Sequence, residues 1–235
     1  RGGQDGLGNR DMTRHADAGF WGGRCVIITG ASSGIGREVA RQVGAAGGRA
    51  GLIARSESRL AEACKGILAG GGQAAWTTAD VTDRAAVEHA TAKLQQRLGP
   101  CDVLIAGAGI YRLTDGAALD SRVAAEVIHT NVGGTLHAIG AVLGGMVERG
   151  GGHVAIIASV AGMLGLPGGG AYCASKAAVI LLARSLRLDL RDTGVKVTTV
   201  CPGFVDTPMI TRAERDAGKG VRPVNQAARR ILRAI

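Results

Sequence analysis

Apolar positions along this chain keep two alternating rhythms. Six short runs are mostly apolar from end to end: Arg24 to Thr29, Ala50 to Ala54, Gln73 to Thr78, Asp102 to Ala106, Val154 to Ala158 and Val195 to Val200. Runs of this length, rich in Val, Ile and Ala, predict strands covered on both faces, as in a parallel sheet. The stretches between them read as helices: Ile35 to Gly47, Glu57 to Ala69, Asp83 to Leu98, Ser121 to Arg149 with a break near Gly133-Gly134, and Gly170 to Asp192. Gly70-Gly71-Gly72 and Gly99-Pro100 stop the second and third of these. Alternation of strand and helix predicts an α/β fold, a Rossmann-like doubly wound parallel sheet with helices on both faces. No repeat or linker divides the pattern. Residues 21–235 are read as one domain, and the polar, Gly-rich residues 1–20 as a disordered tail, within which Met12 is a candidate native start.

Composition narrows this picture. Hydrophobic residues are 46% and charged residues 20%, which argues for an ordered chain. Aromatics are only 3%, so the core is built from Ala, Val, Ile and Leu, in keeping with helices packed on a parallel sheet. The formal charge is +9, carried mostly by Arg and spread along the chain. Without a basic block or an aromatic ladder, nucleic acid is not an expected partner, and the surplus suits a small anionic ligand. Cys25, Cys64, Cys101, Cys173 and Cys201 show no metal-ligand spacing, and they are read as reduced thiols of a cytoplasmic protein with no metal. The longest apolar stretch, Val132 to Val147, carries five glycines and a His, so no membrane span is expected.

Between the first strand and first helix lies Thr29-Gly30-Ala31-Ser32-Ser33-Gly34-Ile35-Gly36. Glycines let the backbone approach a ligand, and the helix N-terminus behind them attracts phosphate. The spacing is G-x-x-x-G-x-G, in the context of a dinucleotide site. Gly30, Ser32, Ser33, Gly34, Ile35 and Gly36 are therefore candidate cofactor contacts. At the end of the second strand an acidic residue would bind ribose hydroxyls, but here stands Ala54-Arg55-Ser56. A guanidinium pairs with a 2′-phosphate, which predicts NADP(H) in preference to NAD(H), with Arg55 as determinant and Arg37 as an assistant.

Tyr172 and Lys176 are four apart and share one helix face, one turn from each other. An ammonium beside a phenol favours the phenolate, lowering a pKa that is about 10 in the free side chain. Such a phenol can exchange a proton with a reacting oxygen. Ser159, at the end of the fifth strand, is placed to hydrogen-bond the same oxygen.

With these motifs in order, residues 22 to about 210 resemble the short-chain dehydrogenase/reductase family. Thr29 to Gly36 resembles its cofactor turn, and Asp80-Val81 the pair that contacts adenine. Asn131 is similar to the family's active-site Asn, which holds a relay water, and completes an Asn131, Ser159, Tyr172, Lys176 set. Pro202, Gly203, Val205 and Thr207 resemble the segment that fixes the nicotinamide amide. The family's Asn-Asn-Ala-Gly stands here as Ala106-Gly107-Ala108-Gly109, so an Asn that ties strands is missing, while Ala108 and Gly109 carry over as cofactor contacts. The family also adds a last strand beyond the point at which Ile235 closes this chain.

The resemblance implies hydride transfer between NADP(H) and a carbonyl or secondary alcohol. Tyr172 would be general acid and base, Lys176 would lower its pKa and bind the nicotinamide ribose, and Ser159 would bind the substrate oxygen. The apolar loop Val160 to Pro167 and a lid over Pro208 to Gly220, with Met209 and Ile210 inward, suggest an apolar substrate. Apolar residues on more than one face of the two long helices predict a homodimer or homotetramer. The alternative readings are a non-catalytic NADP(H)-binding scaffold or redox sensor, and another Rossmann-like enzyme such as a methyltransferase. Neither gives the Tyr172/Lys176 pair a use.

Overall fold

The computed structural model describes residues 19–113, 116–210 and 220–235. Most of the expected tail, Asp115 of the loop after the fourth strand, and residues 211–219 of the expected lid lie outside them. Within the described residues the elements alternate as the pattern predicts. They are β1 (Cys25–Thr29), α1 (Gly34–Ala45), β2 (Arg49–Ala54), α2 (Glu57–Ala69), β3 (Gln73–Thr78), α3 (Arg84–Leu98), β4 (Val103–Ala106), α4 (Ser121–Ile128), α5 (Gly134–Glu148), β5 (Gly152–Ile157), α6 (Gly170–Asp189), β6 (Val195–Val200) and α7 (Val224–Ala234). A short helical turn at 19–21 seats Trp21 in the core.

The six strands form one sheet in the order β3-β2-β1-β4-β5-β6, and every pairing is parallel. Successive strand residues point to opposite faces. Ile27, Leu104 and Ile156 enter one core, with Leu94 of α3, Met146 of α5 and Val179 of α6. Val26, Ile28 and Ile105 enter the other, with Val39 of α1, Leu60 of α2 and Ile231 of α7. Both faces are covered, which is why these strands show no polar alternation. None of the five cysteines is paired with another. Burial pushes the Cys25 thiol up to about 11 and raises Cys101 further.

The order reverses between β1 and β4, the switch point at which open α/β sheets bind ligands. There Thr29 Oγ1 accepts from the backbone amides of Gly107 at 3.1 Å and Ala108 at 3.2 Å. The strand tie that the missing Asn put in doubt is made by this hydroxyl. The long helix breaks where expected: a π-helical turn over His129–Gly133 joins α4 to α5. A Cβ on Gly134 would lie 2.6 Å from Val81 Cγ2, so the glycine lets α5 close on the loop after β3. Asp102 starts no strand because its carboxylate accepts from the Cys25 amide at 2.7 Å.

Candidate active site

The loops at the C-terminal ends of the strands surround a cavity of about 540 Å³. The glycine turn forms one wall. Gly30 takes φ 75°, and a Cβ there would lie 2.9 Å from the Ala108 backbone, so only glycine lets β1 and β4 end this close. A Cβ on Gly36 would lie 2.5 Å from the Gly30 carbonyl, which fixes how tightly α1 turns away. Ser33 caps α1 without a side-chain bond, and the first turn carries no acidic residue. The N–H groups and the positive end of α1 are thus open toward the cavity, which Ser32, Ser33, Gly34, Ile35 and Gly36 line. Thr207 closes over this turn, its Cγ2 lying 3.2 Å from where a Gly34 Cβ would stand.

The β2–α2 corner carries the positive charge. Arg55 lines the cavity and faces Asp80 at 3.8 Å, a loose pair between exposed groups. Asp80 is anchored by Thr82, whose amide donates to it at 3.0 Å and whose hydroxyl donates at 2.8 Å. Val81 lines the same wall. Arg37 does not join them: its guanidinium pairs with Glu62 at 2.8 Å and faces a second cleft between α1 and α2. The expectation of an assisting Arg37 is thus corrected, because α1 turns that side chain away. Arg59 lines the cavity instead, one turn into α2. A polar run, Ser56 to Arg59, opening the helix after β2 was the available signal for it.

At the other side, β5 ends at Ile157, two residues before Ser159, and α6 begins at Gly170. Together they place Ser159, whose Oγ accepts from the Ala161 amide at 3.1 Å, and Tyr172 on the wall of one cavity. Lys176 Nζ lies 5.7 Å from the Tyr172 ring centroid and donates to the Ile157 carbonyl at 2.9 Å. Lys176 is only 6% exposed, and burial pulls its amine down to about 8. The expected lowering of the Tyr172 phenol by this lysine is not what the site shows. Burial raises the phenol, the Ser159 hydrogen bond opposes this, and the neighbouring Cys173 and Tyr111 add to the rise. Lys176 is not among the groups that move the phenol; its amine is committed to the Ile157 carbonyl.

Asn131 sits on the π-helical turn, nearly fully buried. Its Oδ1 accepts from the Ile110 amide at 2.8 Å, and its Nδ2 donates to the Ile110 carbonyl at 3.0 Å and to Ser175 Oγ at 2.9 Å. Both amide hydrogens are used in these bonds, so the side chain clamps Ile110 to Ser175. Gly109 admits this packing: a Cβ there would stand 3.1 Å from Asn131 Oδ1 and 3.6 Å from Lys176 Nζ. Ala108, Gly109, Pro202, Gly203, Val205, Met209 and Ile210 all line the cavity. Tyr111 and Phe204 line it too and were not singled out from the sequence, where isolated apolar residues in loops carry no periodic signal, and Leu166 lines it from the apolar loop Val160 to Pro167. Among the described residues no group of His, Cys, Asp and Glu could hold a metal, and no helix is long and apolar enough to cross a membrane.

Known proteins share this arrangement. A candidate ketoacyl reductase of Streptomyces coelicolor is 40% identical over 185 residues, spanning 78% of this chain and 71% of that protein. A ketoacyl reductase of a Nostoc species is 33% identical over 216 residues, 91% of this chain and 75% of its own length. A point variant of actinorhodin polyketide ketoreductase, solved with NADPH, superposes with a TM-score of 0.84 at 33% identity, covering 90% of this chain and 89% of that one. The sequence profile of the short chain dehydrogenases matches residues 24–218. This chain belongs to the short-chain dehydrogenase family.

Proposed function

We propose that the protein is an NADP(H)-dependent oxidoreductase that moves hydride between the nicotinamide and a carbonyl or secondary alcohol group of an apolar substrate. The observation that carries this reading is that Tyr172, Ser159 and Lys176 line the same cavity as the glycine turn. The residues present fit the cofactor: the uncapped start of α1 suits a pyrophosphate, and Arg55 with Arg59 suits a 2′-phosphate. The NADPH found in the actinorhodin ketoreductase supports the same choice over NAD(H).

When bound, the nicotinamide supplies or accepts the hydride. Ser159 donates a hydrogen bond to the substrate oxygen as charge builds there. Tyr172 gives its proton to that oxygen in reduction and takes it back in oxidation. A phenol held above its ordinary value is protonated at neutral pH, the form that donates in reduction. Lys176 holds the nicotinamide ribose through its ammonium, and Asn131 keeps Ile110 and Ser175 in register with Tyr172. Leu164, Leu166, Phe204, Met209 and Ile210 wall the substrate end with apolar surface. The likeness to proteins named ketoacyl reductases supports a ketone carried on an acyl group.

The protein also has a face that suits a second copy of itself. On α6, Leu181 is 65% and Leu188 69% exposed, and with Ala174, Ala178 and Ser185 they form one stripe at helical spacing. On α5, Leu136, Gly140, Gly144 and Val147 form another. Two flat, small-residue helix faces pack closely about a two-fold axis, and a homodimer through them follows.

Four outcomes test this reading. Tyr172→Phe lowers turnover of NADPH with a ketone by about 100-fold or more, while fluorescence titration shows NADPH affinity within about threefold of wild type; a variant that keeps turnover refutes the assignment. In Arg55→Asp the ratio of kcat/KM for NADPH to that for NADH drops about 10- to 100-fold, and an unchanged ratio removes Arg55 from cofactor choice. NMR of 13C-lysine-labelled protein shows one amine that loses its charge as pH rises through about 8, and its resonance is missing in Lys176→Met; no resonance turning over there means Lys176 is not desolvated. Finally, Leu188→Glu halves the mass seen by light scattering with unchanged far-UV circular dichroism, whereas a retained mass places the subunit contact elsewhere.

A further inference from the structure

We propose that Tyr111 is a positioning residue of the site, holding the Tyr172 ring in the orientation from which its hydroxyl meets Ser159 and the substrate oxygen; this rests on the reading of Tyr172 as general acid. The two rings meet edge to face, with centroids 5.1 Å apart and planes at 79°. That is the arrangement aromatic quadrupoles prefer. Tyr111 lines the cavity yet belongs to no helix or strand, so something outside the regular elements must hold it there.

A closed circuit of hydrogen bonds does so. Ile110 exchanges two bonds with the Asn131 side chain, at 2.8 and 3.0 Å, which fixes the peptide units on both sides of Ile110. Asn131 Nδ2 also donates to Ser175 Oγ at 2.9 Å, and Ser175 Oγ donates to the Tyr172 carbonyl at 2.7 Å. The network that grips the Tyr172 backbone therefore delivers the next loop residue, Tyr111, to the Tyr172 ring. Ser175 is 0% and Asn131 1% exposed, so water does not compete for these bonds. The ring of Tyr172 turns on two torsions. Ser159 lines the same cavity with its Oγ accepting from the Ala161 amide, and Lys176 is a flexible cation already committed to the Ile157 carbonyl. Tyr111 adds a rigid contact to the ring itself. An edge-to-face pair changes the population of one ring orientation by about 2- to 12-fold, and turnover follows that population.

The test compares wild type, Tyr111→Phe, Tyr111→Leu and Tyr172→Phe, using NADPH and one reducible ketone, with turnover followed by NADPH absorbance and binding by fluorescence titration. Tyr111→Leu lowers kcat about 3- to 10-fold with NADPH affinity unchanged, and Tyr111→Phe, which keeps the ring, restores kcat to near wild type. Wild-type kcat in Tyr111→Leu overturns the proposal. So does equal loss in Tyr111→Phe, which would assign the effect to the hydroxyl, and so does a parallel loss of NADPH binding, which would make the role merely structural. If the leucine variant does not fold, Tyr111→Met is read by the same criteria. Turnover in Tyr172→Phe, seen independently of Tyr111, marks failure of the underlying reading instead.

Discussion

Everything in this molecule hangs on how two strands far apart in the chain are held side by side at their C-terminal ends. β1 and β4 are neighbours in the sheet, yet the hydrogen bonds from Gly107 and Ala108 to Thr29 Oγ1 join residues 78 and 79 positions apart. A parallel pair gains less per residue than an antiparallel one, and its loops must leave in opposite directions where the order reverses. The crevice so opened receives all the chemistry. Gly30, Gly34 and Gly36 lie on its β1 side, and Gly109, Asn131, Ser159 and Tyr172 on its β4–β5 side. The small residues at 106–109 are what allow the two sides to approach, because a Cβ at Gly107 would stand 3.0 Å from the Thr29 carbonyl.

The site that results is dry on its β5 side, and dryness sets its electrostatics. A buried charge loses hydration that a single carbonyl cannot replace. Lys176 with its Ile157 partner is such a case, and Tyr172 is the complementary one, since its neutral form is the one that burial favours. The pair is better described as an amine and a phenol each pushed toward neutrality than as an ammonium tuning a phenolate. With its amine at about 8, Lys176 still carries most of its charge at neutral pH, while the Tyr172 phenol stays protonated.

Much of this was legible from residue order. The six apolar runs became the six strands, and the break at Gly133-Gly134 fell where a helix must admit Val81. Tyr172 and Ser159 meet as their spacing implied, because a strand end and a helix start are rigid and the loop between them is short. What escaped the sequence has the opposite character. Arg59 and Arg37 exchanged roles because the rotation of α1 and α2 about their axes depends on how both pack. Tyr111 could not be found, since a loop residue acquires its place from long-range bonds rather than from periodicity. The sign of the Tyr172 shift was likewise misread. Sequence shows that a lysine is near and not how much water has been removed from it.

Asn131 gives Ile110 what a neighbouring strand would give: one acceptor for its amide and one donor for its carbonyl. A side chain thus serves as a surrogate strand of one residue, extending the order of β4 past its last ladder bond. Presenting that amide from a helix has a geometric cost. The turn His129–Gly133 is wound as a π-helix, which holds one residue more than regular winding would. Removing a single residue from that turn would restore ordinary pitch and take away the widened winding from which Asn131 is presented. The surplus residue is therefore what keeps the clamp in register, and a length change there is a heavier lesion than most substitutions of the residues it serves.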